Sequence, residues 1–315
     1  MQWPEWLFGL RAEVDDHRAL LGDLTAAHTP IVWTQHNLTP HFNDPERYDP
    51  IYSLWAEACD VAIHHSHWGL EQVTARYAFK PDCRHVVIAH PHFGDLMGPN
   101  ARVERDAAAA ALNLTATRRE RGLPDNPRLR IGVIGAPRPQ KSLDLVIAAV
   151  EQSRRDDIEL VVWSHAFGDE MSNDPRVVGE IYDHVDRSIY DLRLAAVDVI
   201  ALPFVDHTML GTGTAADLVA AGVPALASHW PYLAEALGAG AILAGQTVAS
   251  WTDAIERLDH DALAAARAAL RQRRSAVSSA TIGAATVGVI ADLLGPLKPP
   301  QRLPLRTSDT VGRTP

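Results

Sequence analysis

Short β-branched runs alternate along the chain with longer Ala- and Leu-rich segments at helical spacing, the pattern of a parallel α/β sheet. The apolar runs predict strands over 30–35 (PIVWTQ), 59–66 (CDVAIHHS), 85–90 (HVVIAH), 129–135 (LRIGVIG), 158–164 (IELVVWS), 197–203 (VDVIALP), 223–228 (VPALAS) and 240–245 (GAILAG). Helical period predicts helices over 66–78, 103–121, 141–153, 212–221, 230–237, 248–257, 261–274 and 276–294. The strands form two sets with a strand-free segment between them, which places a domain boundary within 100–125. The expected organisation is a first unit at 1–108, a linker at 109–127, a second unit at 128–275, a C-terminal helix at 276–295 and a proline-rich, disordered tail at 296–315. A doubly wound sheet has about five or more strands. Fewer precede residue 100, so either part of the first unit is missing before Met1 or its first strand lies earlier than the apolar runs indicate.

Composition narrows the class without naming a chemistry. The chain has 315 residues, 47% of them hydrophobic and 22% charged, as in a soluble globular protein. Its net charge of −10 argues against a surface that coats nucleic acid. Two cysteines, Cys59 and Cys83, imply no disulfide framework, and a reducing cytoplasm is the expected location. The N-terminus has no basic segment leading into an apolar one, so no signal peptide is expected. The apolar stretch 275–295 is rich in small and hydroxylated residues and broken by Asp292, which favours a packed helix over a membrane span.

Two loops carry candidate chemistry. The first, GAPRPQKS at 135–142, lies between a buried strand and a helix and nearly spells a triphosphate loop. Pro137 and Pro139 each lack an amide donor and Gln140 resists positive φ, so the loop cannot wrap a triphosphate in backbone N–H groups. Gly135, Arg138 and Lys141 remain at the carboxyl edge of the strand, where doubly wound sheets bind ligands. Two readings stay open: cations converging on one anion beside a helix N-terminus, or a solvated loop with two surface charges. The second loop leads into GTGTAADLVAAG. Gly211, Thr212, Gly213 and Thr214 offer amides and hydroxyls at a helix start, and Asp217 follows, either as a ribose acceptor or as a partner for the helix dipole.

These stretches resemble the GT-B glycosyltransferases of the group-1 (family-4-like) type. Gly135, Arg138, Lys141 and Ser142 match that family's G-x-x-R-x-x-K-G/S; DVIALP at 198–203 matches its D-V-x-x-x-P; and DLVAAGVPA matches its E-A-x-A-x-G-x-P-V, with Asp217 at the glutamate position. WPEW, VWTQHNLTPH, VAIHHS and VIAHPHF are similar to the family's N-terminal motifs, so the likeness spans roughly residues 3 to 260. It implies two Rossmann-like parallel sheets facing a cleft, the first incomplete. It implies a metal-independent transferase moving a sugar from a nucleotide-diphosphate sugar to a hydroxyl acceptor, a glycan or lipid-linked, and no cofactor beyond that donor. Polysaccharide or glycolipid synthesis, with peripheral association at the inner membrane face, is the implied setting. Arg138 and Lys141 would bind the donor diphosphate, and Asp217 would contact the ribose. Met209 stands where the retaining members carry the first of two glutamates, and nearby Asp206 is a candidate substitute.

Nine of the fifteen histidines lie between residues 28 and 92. No HExxH or CxxC-like spacing occurs, so a cleft-lining role is favoured over a metal centre. His36, beside Asn37, is a candidate for orienting sugar hydroxyls or acting as a base. His41, His90 and His92 join Asn37 on the acceptor side, and Glu5, from WPEW, is a candidate aid to acceptor deprotonation. Two other functions stay open on the same fold: a non-catalytic nucleotide-sugar or glycan-binding protein, and a sugar-nucleotide epimerase.

Overall fold

The structure is a computed structural model that describes residues 1–8, 13–40, 44–138, 140–165, 171–181, 183–205 and 209–295. Asp206, His41 and the 296–315 tail lie outside the described residues. The first unit runs α1 (Val14–Ala26), β1 (Val32–Gln35), α2 (Pro45–Ala58), β2 (Val61–His64), α3 (His67–Arg76) and β3 (Arg84–Val87). Two short helices, α4 (Arg105–Ala111) and α5 (Leu114–Glu120), lead into the second. There the order is β4 (Leu129–Val133), α6 (Leu143–Gln152), β5 (Ile158–His165), β6 (Val177–Ile181), α7 (Arg187–Ala195), β7 (Val199–Leu202), α8 (Gly213–Ala221), β8 (Ala225–Ser228), α9 (Pro231–Leu237), β9 (Ala241–Ala244), α10 (Val248–Arg257) and α11 (His260–Ala276). The last helix, α12 (Ser279–Leu294), follows after a bend.

Every ladder is parallel. The first sheet is β1-β2-β3, and the second has the order β6-β5-β4-β7-β8-β9. The chain therefore winds outward from β4 one way, returns to its other side, and winds outward again from β7. That reversal between β4 and β7 is a topological switch point, the place where open α/β sheets leave a crevice at their carboxyl ends.

Side-chain alternation builds a core on each face of the second sheet. Leu160, Val162, Val199 and Ala201 point to the side covered by α6 and α10. Val161, Trp163, Ile200 and Leu202 point to the other, packed with Ala108 and Leu114 of α4 and α5, Leu218 of α8 and Leu270 of α11. The sheet is thus buried on both faces, as the continuous apolar runs require. The helix expected over 103–121 is two helices because Asn113 adopts φ 60°, which no α-helix tolerates. α8 ends on Gly222 at φ 71°, whose N–H returns to Leu218 O.

α12 crosses back to the first sheet, setting Ile282, Val289 and Leu293 against Val61, Ile63 and Ile88. Among the described residues no single helix is long and apolar enough to cross a membrane. The two units also meet through the loops after their strands. Asn37 and Met209 form an antiparallel bridge, and Leu210 N–H donates to His36 O at 3.2 Å. Glu235 of α9 accepts from the first amides of α3, His67 N and Trp68 N, at 2.7 and 2.8 Å. A carboxylate at that helix start is favoured by the dipole.

Candidate functional site

A cavity of about 500 Å³ opens at the β4/β7 switch point. Gly135, Arg138, Lys141, Thr212, Gly213, Thr214 and Asp217 line it, so the two loops singled out in the sequence converge on one space. Gly135 turns the chain off β4 at φ 93°, a conformation reserved for glycine. A Cβ there would meet Lys141 Nζ at 3.1 Å and Thr214 Oγ1 at 3.7 Å, which measures how closely the first loop sits on the start of α8. The loop is held by Ser142 N–H to Pro203 O (2.9 Å) and Val205 N–H to Gln140 O (3.0 Å).

Lys141 folds under this turn. Its Nζ donates to Ile134 O at 3.2 Å and Ala136 O at 3.1 Å, which leaves one of its three N–H donors uncommitted. Burial, reinforced by the neighbouring Arg138 charge, pulls its pKa down to about 8. The ammonium is thus held at a cost that an incoming anion would relieve. At the start of α8 the cap is internal: Thr212 Oγ1 accepts from Thr214 N–H at 3.4 Å. The cradle expected over 211–214 is correspondingly smaller. Gly211 is not among the lining residues; a Cβ on it would come within 3.3 Å of the Tyr232 ring.

A cation that the sequence reading missed completes the wall. Arg187, at the start of α7, donates to Asp191 and Asp217, each at 2.8 Å. Its Nη2 is buried with no hydrogen-bond partner among the described residues. The signal was weak because α7 itself was not anticipated. Asp217 is therefore ion-paired with Arg187, with its pKa raised by burial against the opposing pull of that guanidinium. Tyr190 and Phe93 supply aromatic surface to the same cavity.

Other expected site residues go elsewhere. Glu5 is 3% exposed and accepts from Tyr52 Oη at 2.9 Å, and burial raises its pKa; it faces the interior of the first unit and does not line the cavity. His92 is buried too, its Nδ1 accepting from Gly94 N–H at 2.9 Å while its own N–H reaches Val277 O. That is a structural histidine at a turn. Asn37 is buried at the bridge to Met209. Met209 itself is in the cavity wall, a thioether in place of a carboxylate.

His36 and His90 come together with a third imidazole, His65. The ring centroids of His36 and His65 are 4.6 Å apart, those of His65 and His90 5.0 Å, and Trp3 stacks on His36 at 5.0 Å. Burial, then the neighbouring imidazoles, holds His36 down to about 4 and His65 to about 3. Burial also lowers His90. His90 and Phe93 pack edge to face, so this cluster adjoins the switch-point cavity on its first-sheet side.

Two parallel α/β units, a switch-point cavity and loops that meet across it define the GT-B fold. No family model matches the chain, and no curated protein matches its sequence. Solved structures match it well in fold. HepE of Anabaena, in complex with UDP and glucose, superposes with a TM-score of 0.67 at 14% identity, over 88% of this chain and 76% of its own. Sucrose-phosphate synthase from Thermosynechococcus elongatus gives 0.62 at 16% identity, over 84% and 67%. A UDP-forming α,α-trehalose-phosphate synthase from Burkholderia xenovorans, in complex with glucose-6-phosphate, gives 0.63 at 14%, over 87% and 71%.

Proposed function

We propose that the chain binds a nucleoside diphosphate sugar in the switch-point cavity and passes the sugar to a hydroxyl acceptor held on the first-sheet side. The observation that carries this reading is the convergence of Arg138, Lys141, Arg187 and the start of α8 on one cavity of about 500 Å³. That volume suits a nucleotide-sized ligand. Fixed cations and a helix N-terminus at the diphosphate would stabilise the charge that develops as the sugar leaves, with no metal required at that position. The acceptor would approach past His36 and His90, and closure of the two units would exclude water that hydrolyses the donor. UDP and glucose bound to HepE, a protein of the same fold, support this choice of ligand. Polysaccharide or glycolipid assembly is the setting the reading suggests, and association with the inner membrane face rests on that setting alone.

Met209 favours a second reading. Without a carboxylate at that place the protein could hold the nucleotide sugar without transferring it. Incubation with UDP-, GDP- and ADP-sugars, with and without saccharide acceptors, separates the cases by the nucleoside diphosphate released. A transferase releases it in proportion to acceptor, a binding protein releases none, and an epimerase converts the donor with no acceptor present. Failure of all three nucleotide classes to bind at millimolar concentration removes every one of these readings.

A further inference from the structure

The imidazole cluster has a use of its own. His36 and His65 each follow their strand by one residue and His90 follows β3 by three. The parallel register pairs Gln35 with His64 and His64 with Val87, so the three side chains stand side by side at the carboxyl edge of the first sheet. One ring nitrogen from each lies within 4.8 Å of the other two. Nδ1 of His65 is 3.0 Å from Ile88 O, and Nδ1 of His90 is 2.7 Å from Pro91 O. A carbonyl only accepts, so in both rings Nδ1 carries the proton and Nε2 keeps its lone pair. Nε2 of His65 and Nε2 of His36 are buried with no hydrogen-bond partner among the described residues.

Three lone-pair donors brought together this way, two of them already oriented by backbone carbonyls, are the donor set and outer shell of a metal centre. We propose that His36, His65 and His90 bind one divalent transition-metal ion of the zinc class, each through one ring nitrogen. Imidazole nitrogens about 2.0–2.1 Å from zinc stand about 3.4 Å apart in a tetrahedron. Nitrogens that already lie within 4.8 Å of one another would have to close by about 1 Å on binding the ion. Three protein ligands leave a fourth position for water or a substrate oxygen. A void of about 20 Å³ beside His65 and His90 has room for one water. The HExxH and CxxC patterns that mark metal sites in sequence do not apply here, because these ligands come from three separate strand ends.

The test uses the full chain stripped with chelator and titrated with Zn²⁺ against a chromophoric competitor. One equivalent is expected to bind with a submicromolar dissociation constant. His36→Gln, His65→Gln and His90→Gln are each expected to weaken it tenfold or more, while His260→Gln, an exposed histidine on α11, leaves it unchanged. In the unmodified protein, nitrogen NMR of the histidine rings is expected to show Zn²⁺ shifting these three residues together. The proposal is overturned if the native chain takes up no stoichiometric Zn²⁺ at micromolar free metal, if the ring nitrogens of the three do not shift, or if the variants bind as the native chain does. Metal uptake needs neither nucleotide nor sugar, so its failure is distinct from failure of the transferase reading.

Discussion

Lys141 offers the sharpest pH test of the anion site. Its ammonium is buried beneath the Gly135 turn with a pKa near 8, pulled down by desolvation and then by Arg138. A nucleoside diphosphate placed against Nζ favours the charged form, so binding above pH 8 must take up one proton. The dissociation constant should then scale as one plus ten to the power (pH minus 8), which is roughly constant below pH 7 and about tenfold weaker at pH 9. The sign for stability runs the other way. Between about pH 8 and the unfolded pKa near 10.5 the unfolded chain holds the extra proton, so Lys141 makes the free protein more stable as pH rises through that window. Below pH 8 the residue is charged in both states and its desolvation opposes folding. Calorimetric titration of UDP from pH 6.5 to 9.5, on the native chain and on Lys141→Arg, measures the effect, because titration of the ligand itself is common to both. The native affinity should fall across the upper range and the arginine variant should not follow it. Equal pH profiles for the two proteins would refute the placement of Lys141 at the anion.

Gly135→Ala should cost about 1–3 kcal/mol of stability, because φ 93° is closed to a residue with a Cβ, and should displace the ammonium that the Cβ would meet at 3.1 Å. Thermal melting and UDP titration check it, and a variant matching the native chain in both would be inconsistent with the turn described. Glu159 lies fully buried between Arg130 and Arg118, so Glu159→Ala leaves two buried guanidinium groups without their carboxylate and should cost about 3–5 kcal/mol in urea unfolding. A loss below about 1 kcal/mol would show that water reaches the network. Arg187→Met removes the cation from Asp217 and Asp191 together, and should weaken UDP binding about tenfold or more if its free nitrogen meets the ligand. Unchanged affinity would confine Arg187 to a structural role.

The alternation of apolar runs with helical segments was enough to read the two parallel sheets, because strands covered on both faces are continuously apolar. β6 escaped because, among the described residues, it is an edge strand beside β5 and carries Gly179 and Glu180 among its five residues. α2 was hidden by Pro45 and Pro50, which signal a break in sequence but sit at the start and inside a formed helix. The lining of the switch-point cavity was legible because a glycine turn, two cations and a helix start fall on short segments after strands. Arg187 was not, since only the fold carries α7 to the cavity. Glu5 shows the converse: the family resemblance sets it beside the acceptor, yet it is buried in the first unit against Tyr52. The histidine triad was divided in sequence among three motifs, and only parallel register joins it.

The central claim is that the two loops at the switch point together hold a nucleoside diphosphate. A crystal structure of the chain with bound UDP tests it most directly. The account predicts diphosphate oxygens within hydrogen-bond distance of Arg138, Lys141 and Gly213 N–H, with the nucleoside in the cavity lined by Tyr190 and Asp217. UDP bound at any other place on the molecule, or a diphosphate that touches neither cation, would contradict it.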